Sequence, residues 1–317
     1  MRIKTLSSGG IIPNYHCSAE CRHCLYGCSL SWSNDYITKE KAREICRNLK
    51  LRGCRSVHIG GGEPFLNFNG LLDLVDEILY AGLLLEYIET NASWVTGNVR
   101  DKLSELKAHG VECLLISVDP FHIEYIPLEK PIALIKACNN CLDYFVWKQN
   151  FIAPLSKMSM IIKHGREELE STLGEDYIYD TAKKYGIGYN GRALNIAREF
   201  CETKPFDQII SSGPCMEIVG TNHYHVDYLG SYIPPGCTGM GVPLDELDNI
   251  NEDKYPVFTK LYEKGIKGLY SYATENGFKE NRSYTSKCEL CFEIRKYLNK
   301  NKKTADITPD DFYKQNF

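Results

Sequence analysis

The sequence predicts an α/β fold: a partial (β/α)6 TIM barrel that stays open, followed by a small C-terminal auxiliary domain. Strand and helix patterns alternate over residues 1–200 in units of about 30 residues, as parallel strands with crossover helices do. The segment 113–118 is almost continuously apolar, which is typical of a parallel sheet covered on both faces. About six units fit before residue 200, which is too few for a closed barrel of eight strands.

The first units are predicted from end signals and apolar spacing. A strand over 11–16 is followed by a helix over 38–51, which begins at the N-cap Thr38 and carries apolar residues at helical spacing. A second strand over 56–59 leads into the glycine run 60–62.

The following units repeat this pattern. Asn69 is expected to cap a helix over 69–79, and Gly110 to end a helix over 99–109. A sixth strand is expected to begin at 187–189. The other predicted elements are, in order, a strand over 84–90, a strand over 113–118, a helix over 131–139, a strand over 144–149 and a broken helix over 167–185.

The composition changes after Cys201. Residues 211–240 are rich in Gly, Pro, Tyr and His and predict short hairpin strands, while helical patterns return at 256–270 and 291–298. The polar tail from residue 299 is expected to be loosely held. The predicted domains are 1–200, the partial barrel, and 201–317, the auxiliary domain.

Composition excludes several classes of protein. The chain has 317 residues, a net charge of 37 − 41 = −4 and no basic block, so nucleic acid is not an expected partner. We see neither a signal peptide nor an apolar run long enough for a membrane helix, and expect a cytoplasmic protein. In that compartment, the 14 cysteines are better interpreted as metal ligands or redox groups than as disulfides.

A first group of cysteines follows the first predicted strand. Cys17, Cys21 and Cys24 place three thiols within eight residues, so they can converge on one centre. A structural zinc site needs four ligands, whereas three thiolates suit an iron–sulfur cube that keeps one iron open. Cys28 as the fourth ligand of a closed site, a zinc site and plain structural cysteines are the alternatives.

A glycine run ends the second predicted strand. Gly60, Gly61 and Gly62 stand at the edge of the sheet where ligands bind in open parallel sheets and barrels, and are followed by Glu63 and Pro64. Glycines let a ligand approach the backbone, and Glu63 would be a fixed carboxylate for an ammonium group. Taken alone, the run is also compatible with a simple tight turn.

Together, the two motifs resemble the signature of the radical S-adenosylmethionine (SAM) superfamily. The cysteine loop, with His23 before its last cysteine, resembles the cluster-binding motif, and residues 61–64 resemble the motif for the SAM amine. The resemblance covers about residues 8–200. It implies a 4Fe–4S cluster on the three cysteines, with SAM on the fourth iron. One electron would cleave SAM into methionine and a 5′-deoxyadenosyl radical, which takes a hydrogen atom from the substrate.

The same resemblance implies further SAM-binding positions at strand ends. Asn91 corresponds to a ribose-side position, Ser117 and Asp119 to polar contacts with SAM, and Arg192 to a position near the SAM carboxylate or the substrate. His122 also falls at this edge and could face the substrate. Each of these residues is equally open to interpretation as a cap, turn or loop residue.

A second group of cysteines lies in the C-terminal region. Cys215, Cys237, Cys288 and Cys291 could supply four thiolates to one centre; a structural zinc or two unrelated pairs are the alternatives. The pattern resembles the auxiliary-cluster domains called SPASM and twitch. That resemblance implies one auxiliary 4Fe–4S cluster with every iron ligated, and hence an electron-relay or structural role. The predicted fold class is therefore a partial barrel with a small auxiliary iron–sulfur cluster domain.

The chain also resembles small peptide-modifying radical SAM enzymes that mature ribosomally made peptides, including epimerases. That resemblance implies a peptide or protein substrate, modified by epimerisation or cross-linking, and an electron donor such as ferredoxin or flavodoxin. In epimerases a thiol returns the hydrogen atom; Cys28 and Cys54 are possible donors here, and Cys28 is the predicted one. The alternatives are a radical SAM enzyme acting on a small molecule or cofactor precursor, and a non-enzymatic iron–sulfur protein.

Two histidines have no role in this interpretation. His223 and His225 occupy alternate positions of a predicted strand and so share one face. Without a third ligand, they are interpreted as surface residues of the strand.

Overall fold

The computed structural model describes residues 1–139, 141–147, 149–280 and 283–315, and its core is one mixed sheet flanked by helices. The strands are β1 (Ser8–Ile12), β2 (Ser56–Ile59), β3 (Leu84–Thr90), β4 (Cys113–Ser117), β5 (Asp143–Trp147), β6 (Asn222–Asp227), β7 (Ser231–Ile233) and β8 (Val242–Pro243). The α-helices are α1 (Lys39–Leu51), α2 (Phe68–Tyr80), α3 (Val99–Ala108), α4 (Pro120–Ile123), α5 (Glu129–Cys138), α6 (Ile152–Leu155), α7 (Arg166–Leu173), α8 (Tyr177–Lys184), α9 (Leu194–Phe200), α10 (Phe206–Ile210), α11 (Pro256–Glu275) and α12 (Lys287–Asn301).

The sheet is parallel through most of its width. Its strand order is β5-β4-β3-β2-β1-β6-β7-β8, and β1 to β5 are mutually parallel neighbours in chain order. β6 pairs with the other side of β1, also in parallel, while β7 and β8 continue antiparallel. The predicted α/β class with an open, mostly parallel sheet is confirmed.

The sixth parallel strand is not where the sequence predicts it. Residues 187–189 form no strand, and the chain passes from α8 into the short 3-10 turn Gly191–Ala193. The sixth parallel strand is β6, which lies beyond residue 200 and joins the opposite side of β1. Strands from both sides of residue 200 thus form one sheet, and the boundary at residue 200 stays a prediction.

Local end signals account for most helix limits. Thr38 caps α1 as predicted, since its hydroxyl accepts the N–H of Lys41 at 3.2 Å. The cap of α2 is Asn67 rather than Asn69, because the Asn67 side chain accepts the N–H of Gly70 at 3.0 Å. Both residues are asparagines, so composition alone does not distinguish the two registers.

The C-terminal tail is better held than its polar composition predicts. Phe312 is fully buried and Tyr313 is 7% exposed, within a 3-10 turn that follows α12. The expectation of a loose tail is therefore wrong for residues 299–315. No helix among the described residues has the length and apolar character needed to cross a membrane.

Candidate active site

The first cysteine group lies in the loop that follows β1. Cys17 and Cys21 are buried and Cys24 is half-buried. The Cys17 N–H donates to Ser29 O at 3.0 Å, and the Cys24 N–H donates to Cys21 O at 3.0 Å. These backbone bonds fold the loop over the carboxyl end of the strand, so the three predicted cluster ligands share one site.

The glycine run packs directly against this loop. Gly61 has φ +109°, and a Cβ there would lie 2.5 Å from the Ile12 side chain. A Cβ on Gly62 would overlap the carbonyl oxygen of His16, which also accepts the Glu63 N–H at 3.0 Å. Only glycine permits this approach, so the run fixes the segment that leads into Cys17.

Glu63 joins the ends of two strands, and its predicted contact with the SAM amine stays a prediction. Its carboxylate is fully buried and accepts the backbone N–H groups of Phe65 at 3.2 Å and Asn91 at 2.8 Å. It also accepts the Thr90 hydroxyl at 3.0 and 3.1 Å. Three donors, of which the Thr90 hydroxyl is shared between the two oxygens, let the carboxylate tie the end of β2 to the end of β3. Pro64 follows, buried, as the first residue of a 3-10 turn.

Asn91 reaches the cysteine loop. Its side-chain amide donates to Cys17 Sγ at 3.4 Å and to Ser18 Oγ at 3.2 Å, while its oxygen accepts the Ser93 N–H at 2.8 Å. A hydrogen bond to a ligand sulfur stabilises its thiolate form and influences the potential of a bound cluster. The structure therefore gives Asn91 a contact with a cluster ligand, and a contact with the SAM ribose stays a prediction.

Arg192 organises the cysteine loop, and its place near the SAM carboxylate or the substrate stays a prediction. Its guanidinium is buried and donates to Cys21 O at 3.0 Å and to Cys28 O at 3.1 Å. Gly191, at φ +54°, lets this segment approach so closely that a Cβ there would overlap the carbonyl oxygen of Leu25. Burial raises the pKa of the Cys17 and Cys21 thiols, and the positive charge of Arg192 opposes that rise; the same charge helps to lower the pKa of Cys24.

Asp119 and His122 form an oriented pair beside the loop. The Asp119 carboxylate is fully buried, and one oxygen accepts the N–H groups of Phe121 and His122 at the start of α4. Its other oxygen lies 2.8 Å from His122 Nδ1. This carboxylate is an N-cap, so a direct contact with SAM stays a prediction. Ser117 lies half-buried at the end of β4, and its contact with SAM is likewise a prediction.

Neither cysteine group has the compact spacing of a mononuclear metal site. Among the described residues, only His23, Asp119 and His122 form a group of three or more candidate ligands whose ligand atoms all lie within 4.8 Å of one another. Sulfurs that share one tetrahedral zinc, each about 2.3 Å from the metal, lie only about 3.8 Å apart. Among the described residues, neither cysteine group therefore has three sulfurs at the spacing of one zinc ion.

The second cysteine group is brought together by long-range folding. Cys215 precedes a 3-10 turn, Cys237 follows β7, and Cys288 and Cys291 lie in the first turns of α12. Each of the thiols of Cys215, Cys237 and Cys288 has its pKa raised by burial and further raised by other members of the group. The four sulfurs therefore face one another.

Arg295 is a buried arginine beside the second cysteine group, as Arg192 is beside the first. It was not predicted from the sequence. It lies one turn after Cys291 on α12, is 2% exposed and donates to Thr238 O and to Tyr313 Oη. Its charge lowers the pKa of the Cys237 thiol against the effect of burial. The only available signal was its spacing of four residues from Cys291, which places both on one helix face.

Cys28 lies against the first cysteine group. It is 1% exposed, and a hydrogen bond from its thiol helps to lower the pKa of Cys24 to about 6. Its role as hydrogen donor stays a prediction. The surface interpretation is wrong for His225, because its Nε2 lies 3.2 Å from Nε2 of the buried His58 on the inner face of the sheet. The interpretation as a surface residue is correct for His223, which is exposed.

The side chains that line the inner face of the sheet below the cysteine loop were also not predicted from the sequence. His58, Tyr87, Glu89 and Phe145 lie on this face, on β2, β3 and β5. Their signal was polar or aromatic residues at alternate positions of strands that are otherwise apolar.

This fold and this site define a class of protein: an open α/β barrel with a three-cysteine loop after its first strand and a glycine run after its second. Residues 11–141 match the family model described as the Radical SAM superfamily. The chain thus carries a radical SAM domain and is an enzyme that uses S-adenosylmethionine, and the family implies a 4Fe–4S cluster.

Several solved structures are similar over much of the chain. "Native anSMEcpe with bound AdoMet" is 14% identical, with a TM-score of 0.46, over 92% of this chain and 96% of that chain. BtrN in complex with AdoMet and 2-DOIA is 14% identical, with a TM-score of 0.43, over 91% of this chain and 98% of that chain.

SuiB of Streptococcus suis, bound to S-adenosylmethionine, is 17% identical, with a TM-score of 0.35, over 73% of this chain and 60% of that chain. These TM-scores are all below 0.5, so the likenesses carry no argument about substrate or reaction. None of the curated proteins matches the sequence.

Proposed function

We propose that this chain is a radical SAM enzyme that abstracts a hydrogen atom from a peptide or protein substrate. The observation that carries the proposal is the three-cysteine loop, docked on the glycine run at the carboxyl edge of the parallel strands. This edge opens onto an inner face where Phe145 is 59% and Trp147 is 48% exposed. Exposed aromatic side chains on the edge strand β5 offer apolar surface to an extended chain, which supports a peptide over a small molecule.

Cys17, Cys21 and Cys24 would hold the cluster. When bound, the cluster and SAM supply a 5′-deoxyadenosyl radical that takes a hydrogen atom from the substrate. Asn91 donates to the Cys17 sulfur, and Arg192 holds the loop closed through two of its carbonyls. Glu63 keeps the ends of β2 and β3 together beneath the site.

Cys215, Cys237, Cys288 and Cys291 would hold one auxiliary cluster. Among the described residues, no three of these sulfurs lie within 4.8 Å of one another, and the charge of the buried Arg295 would offset part of the charge of four thiolates. Because all four irons would have a protein ligand, this cluster would relay electrons or support the fold rather than bind substrate.

The first experiment tests the clusters and the cleavage of SAM. After anaerobic reconstitution with iron and sulfide, we expect about eight irons per chain, as two 4Fe–4S clusters require, and 5′-deoxyadenosine on addition of SAM and reductant. Cys17→Ala should abolish 5′-deoxyadenosine and halve the iron. Cys288→Ala should also halve the iron but keep the electron paramagnetic resonance signal that SAM perturbs.

Cys201→Ala is the matched control, because Cys201 is a half-buried cysteine outside both groups. It should retain both the iron and the cleavage of SAM. A wild-type chain that binds only zinc and yields no 5′-deoxyadenosine would contradict the proposal.

The substrate class needs a separate measurement. The chain is co-expressed, in medium made with deuterated water, with a short peptide encoded beside it. Mass spectrometry of the peptide then detects both modifications that change its mass and epimerisation, which is seen as incorporated deuterium. Failure of every such peptide, together with turnover of a small molecule, would favour the alternative substrate class.

A further inference from the structure

A row of rings closes the inner face of the sheet below the cysteine loop. His58 stacks on Tyr87 at 5.0 Å and meets His225 at 5.1 Å between ring centroids. The two ends of the row are Phe145, 6.5 Å from Tyr87, and Tyr26, 5.2 Å from His225. These rings form a floor, which Tyr26 joins to the cysteine loop, and a substrate next to that loop would lie over it.

The floor is continuous because β1 offers no side chain at this level. A Cβ on Gly10 would lie 2.5 Å from the rings of both His58 and His225. Burial lowers the pKa of His58 to about 4 and that of His225 well below its usual range. Both rings are therefore neutral at neutral pH, and the floor carries aromatic surface without positive charge.

Glu89 stands above this floor. On β3 it is two residues after Tyr87 and in register with Leu115 of β4, which in turn pairs with Phe145 of β5. Its other neighbour is Gly60, where a Cβ would lie 2.7 Å from the carboxylate. The carboxylate thus faces open space bounded by Tyr87, Leu115 and Phe145.

No positive charge of the described chain is paired with Glu89. Its carboxylate has no hydrogen-bond donor within the described residues, and its side chain is 39% exposed. Among the described residues, the nearest basic group is the neutral His58, whose Nε2 is 4.0 Å away and already faces His225. Burial raises the pKa of Glu89 to about 7, and His122 is the one group that lowers it. A carboxylate in this state is stabilised by a cation.

The contrast with Glu63 is informative. Both carboxylates lie near the same edge, but Glu63 accepts hydrogen bonds from three donors and is buried. Glu89 is open, and aromatic side chains lie around it. Aromatic faces attract ammonium and guanidinium groups, and a carboxylate pairs with them.

We propose that the substrate carries a cationic nitrogen, an ammonium or a guanidinium, that pairs with Glu89 above the aromatic floor. The inference rests on the proposed function, since it places the substrate next to the site of hydrogen abstraction. The cation would come from a lysine or arginine side chain of a peptide, or from a small-molecule amine.

Binding of matched probes tests this inference without turnover. Acetyl-Gly-Lys-Gly-amide is compared with its norleucine counterpart, and n-butylamine with 1-butanol, by anaerobic equilibrium dialysis. The dialysis uses the protein both as purified and after reconstitution with iron, sulfide and SAM. We expect the cationic member of at least one pair to bind about ten-fold more tightly or better.

Glu89→Gln should abolish this preference, whereas Glu89→Asp, which keeps the charge, should retain most of it. Glu86→Gln is the matched control, because Glu86 is an exposed carboxylate on the same strand. A preference in the peptide pair alone identifies a peptide side chain, and one in the amine pair alone identifies a small molecule.

Equal binding of charged and neutral probes, or an undiminished preference in Glu89→Gln, would overturn the inference. If Glu89→Gln loses its native circular dichroism, Glu89→Asp decides: loss of the preference in a folded Asp variant overturns it as well. Cleavage of SAM by the wild-type chain is measured without probes, so its failure bears on the proposed function alone.

Discussion

At the scale of single residues, each cysteine group is accompanied by one buried arginine. Arg192 donates to carbonyls of the first loop, and Arg295 donates to Thr238 O beside Cys237. A guanidinium stays charged when buried and has several donors, so it can hold a loop and favour thiolates at once. The burial of both arginines is explained by these contacts.

The approach of Arg192 depends on Gly191, which leads to a prediction. Gly191→Ala should remove most of the first cluster's iron, because a Cβ would displace the Leu25 carbonyl within the cysteine loop. Gly186→Ala is the control: Gly186 also has positive φ, at +58°, but no atom lies within 4 Å of the position that a Cβ would take. Iron content and the cluster's electron paramagnetic resonance signal are the measurements. Equal iron loss in the two variants would show that backbone strain, not the close approach, is responsible.

At the scale of elements, β1 is the strand on which the site is built. It pairs in parallel with both β2 and β6 and leads into the cysteine loop. Its glycines let neighbouring side chains cross it: Tyr224 lies over Gly9 on one face, and His58 and His225 meet over Gly10 on the other. Larger residues at these positions would separate the strands.

Gly10→Ala should therefore destabilise the protein by about 1–3 kcal/mol, the usual cost of overpacking a filled site. The measurement is the free energy of unfolding from denaturant titration. Gly188→Ala is the control, since Gly188 has no positive φ and no atom within 4 Å of an added Cβ, and should change stability by less than about 1 kcal/mol. A Gly10→Ala protein as stable as the control would contradict the described contact of the two histidines.

At the scale of the whole molecule, the C-terminal region completes the sheet that carries the site. β6 pairs with one edge of β1, and the hydroxyl of Tyr224 on β6 donates to Cys54 Sγ at 3.0 Å. The tail returns to the second cysteine group through Tyr313, which also donates to Gly239 O at 2.9 Å. One continuous sheet thus connects the parallel strands to the region that holds the second cysteine group.

A chain that ends at residue 200 should therefore not fold alone. Without β6, β1 would present an apolar, unpaired edge, which promotes aggregation. We expect the full chain to unfold cooperatively and the shortened chain to aggregate or to show no cooperative transition by circular dichroism. A soluble, cooperatively folding chain of residues 1–200 would instead support an independent domain with that boundary.

The alternation of strands and helices, the two cysteine groups and the glycine run could all be predicted from the amino-acid sequence. These features depend on local spacing, which a single stretch of chain contains. Thr38 as the cap of α1 and the limits of β2 and β3 are confirmed for this reason.

Which distant groups meet is settled by the tertiary fold alone. The fold placed β6 beside β1, turned Arg192 toward the loop carbonyls, and gave Glu63 three donors while leaving Glu89 with none among the described residues. Each of these outcomes depends on pairs far apart in the chain, such as Arg192 with Cys21. Whether a buried charge is paired is a property of its surroundings, and residue type and spacing do not contain it.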